Sequence, residues 1–273
     1  MNRPFISLST DFGSGNKGIG VMKSVILGIC PEALVIDLAH DIEPFDILGG
    51  ARLFEAVESL MVGCHICVVD PGVGTDRHAI AIETKRGDYL IGPDNGVLLP
   101  AASFLGGIVR VHALTNDRYM RLPVSAIFHG RDVFAPAAAH LSNGLSIADF
   151  GPLIDSSELH PAPYNEAVYD RGVIRATVIH ANHYGNVFLN IRNQELHRLA
   201  KTGQTIQLNA GDRTVDLPYR RTFGEVEVGQ PVIMDDDFGR IEIAVNQGSF
   251  LQILSLKPGD AVELRSNKLT VNS

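Results

Sequence analysis

PFISLSTDFGSGNKGIGVMKSVILGICPEALVIDL, residues 4–38, passes from an apolar, β-branched run into a glycine-rich turn, then an apolar-periodic stretch, then a second β-rich run. Pro4–Thr10 reads as a strand, Lys17–Cys30 as a helix and Ala33–Leu38 as a strand, which together make a βαβ unit. Working outward, Ile47–Met61 repeats apolar residues at helical spacing and His65–Asp70 reads as a buried strand. Ala79–Thr84 and Tyr89–Gly92 read as strands around the charged turn Lys85–Asp88, and Phe134–Leu141 as a helix ending before Asn143-Gly144. Ile154–Tyr164, with two prolines and four acidic or serine residues, reads as a linker. Beyond it, Gly172–Ala181, Asn186–Ile191, Thr205–Leu208, Arg213–Leu217, Pro231–Met234, Ile241–Val245 and Ala261–Arg265 are short strands broken by Gly, Asn and Asp. Such a series points to a small β-barrel or sandwich. The expected architecture is α/β: a larger domain over 1–160 and a smaller β domain over 170–273.

With 45% hydrophobic and 20% charged residues in 273, the chain has the makings of a substantial core, which excludes disorder as its main theme. The net charge of -8 removes the usual electrostatic basis for binding nucleic acid or anionic membrane and suits a neutral or cationic small ligand. No apolar run approaches the roughly 18 residues of a membrane span. Three cysteines leave one unpaired under any disulfide scheme and no signal-like segment opens the chain, so a reducing cytoplasm is expected. Cys64-His65-Ile66-Cys67 lacks a second ligand pair, and its cysteines, three apart on a strand, point to opposite faces; no metal site is expected there.

Gly13-Ser14-Gly15-Asn16-Lys17-Gly18 is a literal G-x-G-x-x-G after a strand and before a helix, with Asp37 about 20 residues on. Taken alone it suggests an NAD-type dinucleotide oxidoreductase. Asp11 stands against that, because a carboxylate at the strand end opposes a pyrophosphate while suiting a ribose diol. A plain structural turn is the other reading.

Three further segments place polar groups at strand ends or loops, where open α/β sheets hold their ligands. Val68–Arg77 ends a buried strand in Asp70, turns through Pro71, Gly72 and Gly74, and reaches Arg77. Ile91–Gly96 repeats the strand-then-acidic-turn pattern and serves equally as a tight turn. Phe128-His129-Gly130-Arg131-Asp132 puts a histidine on a glycine-flanked loop, available for proton transfer or inert; Asp132 alone reads as a first-turn acid of the following helix.

Together these segments resemble the S-adenosyl-L-methionine hydroxide adenosyltransferase family, the S-adenosyl-L-methionine hydrolases, relatives of the fluorinases and chlorinases. The resemblance rests on Ser9–Gly13, His40-Asp41, Asp70–Arg77, Gly92–Gly96, Phe128–Asp132, Tyr184–Asn186 and Glu242–Asn246, seven blocks in order. It implies an N-terminal α/β sandwich-type domain with a central sheet, a smaller C-terminal β-barrel, and a homotrimer with active sites between subunits. It also implies hydrolysis to adenosine and L-methionine without metal or organic cofactor. Asp70, Arg77 and His129 would handle the water, with Asp70 and His129 accepting its proton and Arg77 orienting it; halogenating relatives look different there. Asp11 would bind the ribose hydroxyls, Phe45 and Phe128 would wall the ribose and C5′, and Tyr184 and Phe188 would flank adenine. Asn186 and the backbone around Val245-Asn246 would bond the adenine. The chain departs from the family at the methionine end: Asn16 and Asn182 replace acids, and Asp237 replaces a serine and either repels the carboxylate or takes over the ammonium. A rival reading is a non-catalytic adenosine or S-adenosyl-L-methionine binding protein.

Overall fold

The computed structural model describes residues 3–266, in two compact units divided between Pro163 and Tyr164. In the first unit, β1 (Phe5–Thr10), α1 (Lys17–Ile29) and β2 (Leu34–Ala39) form the expected βαβ unit. Then come α2 (Ile47–Phe54), β3 (Cys64–Val68), β4 (Ala79–Thr84), β5 (Tyr89–Pro93), α3 (Leu99–Phe104), β6 (Ile108–Ala113), α4 (Ala135–Ser142) and β7 (Leu153–Ile154). The strands order as β2-β1-β3-β5-β4-β6-β7, parallel from β2 to β5 and antiparallel beyond.

The chain steps from β1 outward to β2 and then returns to β3 on the other side. Right-handed crossovers in opposite directions lay their connections on opposite faces, and the reversal point opens at the carboxyl ends of β1 and β3. Asp11 follows the first of these ends and Asp70 the second. Every residue of β1 and β3 is buried, as expected for a parallel sheet covered on both faces. Ile6, Leu8, Ile66 and Val68 share one core with Met22 and Ile26 of α1 and Ala137 and Ala138 of α4.

Several expectations shift locally. The Ile47–Met61 helix closes at Phe54 and tightens into a 3₁₀ turn over Glu55–Ser59. Residues 130–134, expected as loop and helix start, form a π-helical turn leading into α4. The Ile154–Tyr164 stretch is not slack: Leu153–Ile154 pairs with β6, Asp94 accepts the His160 amide at 3.0 Å, and Leu159 is buried. Cys64 and Cys67 are enclosed, and burial pushes both thiols up, Cys64 to about 12, so both are held protonated.

The second unit contains β8 (Val168–Asp170), β9 (Val173–Ala181), β10 (Val187–Arg192), α5 (Asn193–Leu199), β11 (Thr205–Ala210), β12 (Arg213–Pro218), β13 (Pro231–Asp235), β14 (Arg240–Val245), α6 (Phe250–Ile253) and β15 (Ala261–Ser266). The antiparallel path β12-β11-β15-β9-β10-β14-β13 nearly closes on itself where Tyr219, just past β12, bridges to Ile233 of β13. It is the expected barrel-like sheet, filled by Ile174, Val178, Val187, Leu189, Ile206, Leu208, Ile241, Ile243 and Leu264. Among the described residues no helix is long and apolar enough to cross a membrane.

Candidate active site

The loop after β3 turns on Asp70 to Val73 and Gly72 to Thr75 backbone bonds. Gly74 takes φ +76, and a β-carbon there would collide with the Ala126 carbonyl. This glycine therefore lets the Asp70–Arg77 loop lie against the strand of chain leading to His129. Asn95, in the turn after β5, props the start of the same loop, its Nδ2 donating to the Val69 carbonyl at 2.8 Å.

Arg77 grips Asp70 with both arms: Nε donates to Oδ1 at 3.0 Å and Nη2 to Oδ2. Nη2 also lies 2.8 Å from His129 Nδ1. A guanidinium has no lone pair to offer, so Nδ1 is the acceptor and the neutral ring carries its proton on Nε2. Burial, then the Arg77 charge, lowers the His129 pKa, with Asp70 and Asp132 pulling the other way. The Asp70 and Arg77 side chains are almost fully buried, and the guanidinium lies over the Phe134 ring at 5.5 Å.

Asp132 is the expected first-turn acid, set in the turn that runs into α4, and it does more than face the helix dipole. It is fully buried in the π-helical turn, where it takes bonds from Arg131 Nε at 2.6 Å, Arg131 Nη2 at 2.7 Å and the Ser125 amide at 2.9 Å. Although burial opposes it, this set lowers the Asp132 pKa, so a permanent anion anchors the loop that carries Phe128 and His129. A π-helical turn often marks a functional site.

At the end of β1, the Asp11 amide donates to the Val68 carbonyl at 3.3 Å, tying this strand end to the one that leads to Asp70. Asp11 Oδ2 accepts the Phe45 amide at 3.0 Å. Phe45 sits at φ +68 after Pro44, in a turn closed by the Asp46 amide on the Glu43 carbonyl, and its ring is 70% exposed. That position of a turn favours glycine, so a bulky side chain held there in solvent signals a task other than packing. Phe12 stacks edge-on with Phe128 at 6.0 Å.

The glycine-rich loop offers no open phosphate cradle. The Ser14 amide and hydroxyl are both given to Asp41, the Gly13 amide to the His40 carbonyl, and the Gly18 amide to Asn16. Asp37 is paired with Lys23 at 2.6 Å. A carboxylate of the chain's own already fills the place a pyrophosphate would need.

In the second unit, Tyr184 and Asn186 lie on the turn between β9 and β10, and Phe188 is the second residue of β10. Asn182 builds that turn: its Oδ1 accepts the amides of Tyr184 and Asn186, and its own amide donates to the Asn186 carbonyl. Asn16 likewise caps α1, so the side chains of Asn16 and Asn182 are both bound to nearby backbone. Phe188 is half-buried beside His180 at 5.5 Å, and Tyr184 is exposed against His183 at 3.9 Å. Asp237 lies exposed in the turn between β13 and β14, which Asp236 shapes by accepting the amides of Phe238 and Arg240. The Val245 side chain enters the barrel core, while Asn246 commits its amide to Gln230 and its carbonyl to Gly229. That backbone is thus bound internally.

The SAM hydroxide adenosyltransferase N-terminal domain matches residues 6–151, and the C-terminal domain of the same name matches 176–263. The chain belongs to the SAM hydroxide adenosyltransferase family. It is 38% identical over 265 residues to the (R)-S-adenosyl-L-methionine hydrolase of Salinispora tropica, covering 96% of this chain and 97% of that one. With the protein of the same name from Thermus thermophilus it shares 38% over 271 residues, covering 96% and 99%. A fluorinase from an Actinoplanes species is 24% identical over 289 residues, covering 94% and 95%. A crystal structure of an uncharacterized conserved protein from Thermotoga maritima superposes with TM-score 0.87 at 32% identity, covering 95% of this chain and 99% of that one.

Within this chain, Asp70, Arg77 and His129 form one bonded group, and Asp11 and Phe45 another. Motif reading missed the work of Asp41, Asn95 and Glu242. The first two were quoted inside motifs, but only the fold reveals that Asp41 closes the glycine loop and Asn95 holds Val69. Glu242, also inside a quoted block, is bonded to Asn186.

Proposed function

We propose that this protein hydrolyses S-adenosyl-L-methionine to adenosine and L-methionine. Water oxygen bonds to C5′, the C5′–S bond breaks, its electron pair neutralises the sulfonium as methionine departs, and one proton is released. The sulfonium is already a good leaving group, so no cofactor is needed. The demand falls on making water nucleophilic and aligned. The observation that carries this reading is the Asp70–Arg77–His129 contact at the sheet's reversal point.

The bonding of His129 refines the division of labour. Its Nδ1 lone pair is spent on Arg77, so its remaining group, Nε2–H, donates to the water oxygen and orients it. Asp70, held by both arms of Arg77, accepts the departing proton on a lone pair that the guanidinium leaves open. Asp11 takes the ribose hydroxyls, Phe45 and Phe128 wall C5′, Tyr184 and Phe188 flank adenine, and Asn186 meets its edge. Asp237, an exposed carboxylate side chain, meets the methionine ammonium in place of the two lost acids. We extend the reading to a homotrimer whose subunits complete one another's sites. We also place the protein in the cytoplasm, which fits the free thiols of Cys30, Cys64 and Cys67.

The test is reaction of S-adenosyl-L-methionine in water enriched in heavy oxygen. Label on the 5′ oxygen of released adenosine supports hydrolysis. Binding without release makes the protein a sensor, and unlabelled adenosine or a 5′-halogenated nucleoside in chloride overturns the water mechanism.

A further inference from the structure

On β10 and β14 the register pairs Phe188 with Glu242, and across β9 and β10 it pairs Phe188 with His180. Cross-strand partners project to the same side. The alternating residues Val187, Leu189, Ile241 and Ile243 fill the barrel, so His180, Phe188 and Glu242 form a row on its outer face. Asn186, two residues before Phe188, stands at the end of that row, on the same turn as the exposed Tyr184. An aromatic strip ending in one amide is a platform for a planar heteroaromatic ring.

The amide cannot turn freely. Asn186 Nδ2 donates to Glu242 Oε1 at 2.6 Å, while its backbone amide and carbonyl are both bound to Asn182. A carboxylate only accepts, so flipping the Asn186 amide would press two acceptor oxygens together. Glu242 therefore dictates which end of Asn186 remains for a ligand. That end is Oδ1, an acceptor with no hydrogen-bond partner among the described residues.

We propose that Glu242 is a specificity-determining positioning residue: by holding the Asn186 amide in one orientation, it makes the site select a 6-aminopurine and reject a 6-oxopurine. This rests on the adenosyl substrate proposed above. An amino group donates into Oδ1, whereas O6 of hypoxanthine brings a second acceptor to it. Mispairing one polar contact of this kind weakens binding about 10- to 100-fold. Glutamine at 242 can donate as well as accept, so it permits the flipped amide, which then offers Nδ2 to O6.

The experiment is calorimetric titration of adenosine and of inosine into the full-length protein, its Glu242→Gln variant and, as a second release of the same amide, Glu242→Ala. General damage weakens both nucleosides together, so the ratio of the two affinities is the readout. The wild type is expected to favour adenosine by about 10- to 100-fold, and both variants to narrow that ratio, Glu242→Gln chiefly by tightening inosine. Equal wild-type affinities, or an unchanged ratio in a folded Glu242→Gln protein, would overturn the role of Glu242 while leaving the adenosyl reading intact. Failure of the wild type to bind either nucleoside would overturn both.

Discussion

His65, on β3, lies between Ser7 and Asp88, whereas His129, on the loop before α4, is bonded through one nitrogen to Arg77, which in turn holds Asp70. His65 Nδ1 is 2.8 Å from Ser7 Oγ and Nε2 is 3.1 Å from Asp88 Oδ1, so serine, histidine and aspartate stand in a row. By composition that row looks the more catalytic of the two. Yet all three side chains have no solvent exposure, both ring nitrogens are satisfied, and Asp88 is further bound by Arg86 and the Gly63 amide. His129 has spent one nitrogen and is half-buried at a strand-end loop. A buried polar row without an unsatisfied group stabilises the sheet, whereas a strand-end group with one nitrogen unspent can act on a ligand.

The contrast is broken most directly at its reactive member. Asp70→Asn keeps the shape but removes the negative charge, and turnover is expected to fall by about 10²–10⁴-fold with a smaller change in substrate affinity. Single-turnover kinetics checks this, and parental turnover would sink the mechanism. His129→Ala is expected to lose about 10²-fold in turnover.

The wild-type pH profile should carry the sign of the His129 shift. Because the neutral ring is the competent form and its pKa is lowered, turnover should hold level as pH falls to the ordinary histidine value near 6.5 and decline only below it. An acid limb centred above pH 6.5 would contradict the Arg77–His129 bond.

Ser7→Ala sharpens the other side. It leaves His65 Nδ1 without its donor, so unfolding free energy should drop by about 1–3 kcal/mol in denaturant titration, with turnover at saturation unchanged. A loss of turnover without a loss of stability would give the buried row a catalytic part. The smallest effect belongs to Phe45→Gly. Relief of the left-handed conformation, less the added freedom of the unfolded glycine, should stabilise the fold by about 0.5 kcal/mol while KM rises severalfold. Thermal melts and initial rates measure the two together.

The sequence by itself determined the local elements and the family. Strand and helix periods in residues 4–38 write the βαβ unit, short β-rich runs write the second half, and seven motif blocks carry the resemblance. These signals are local, because periodicity and turn chemistry need only neighbouring residues. Tertiary structure alone decided what each polar group has left to offer. Nothing near Gly13 in sequence reveals that Asp41 fills its loop, and the residues around Asp132 do not reveal that their turn is π-helical and fully buries the carboxylate. The tautomer of His129 follows from an arginine 52 residues away, and the orientation of the Asn186 amide from a glutamate 56 residues away. Hydrogen-bond capacity is used up by partners that the fold brings together across the chain, so a motif names the groups that reach a site, and the packing around them sets which atoms remain to do chemistry.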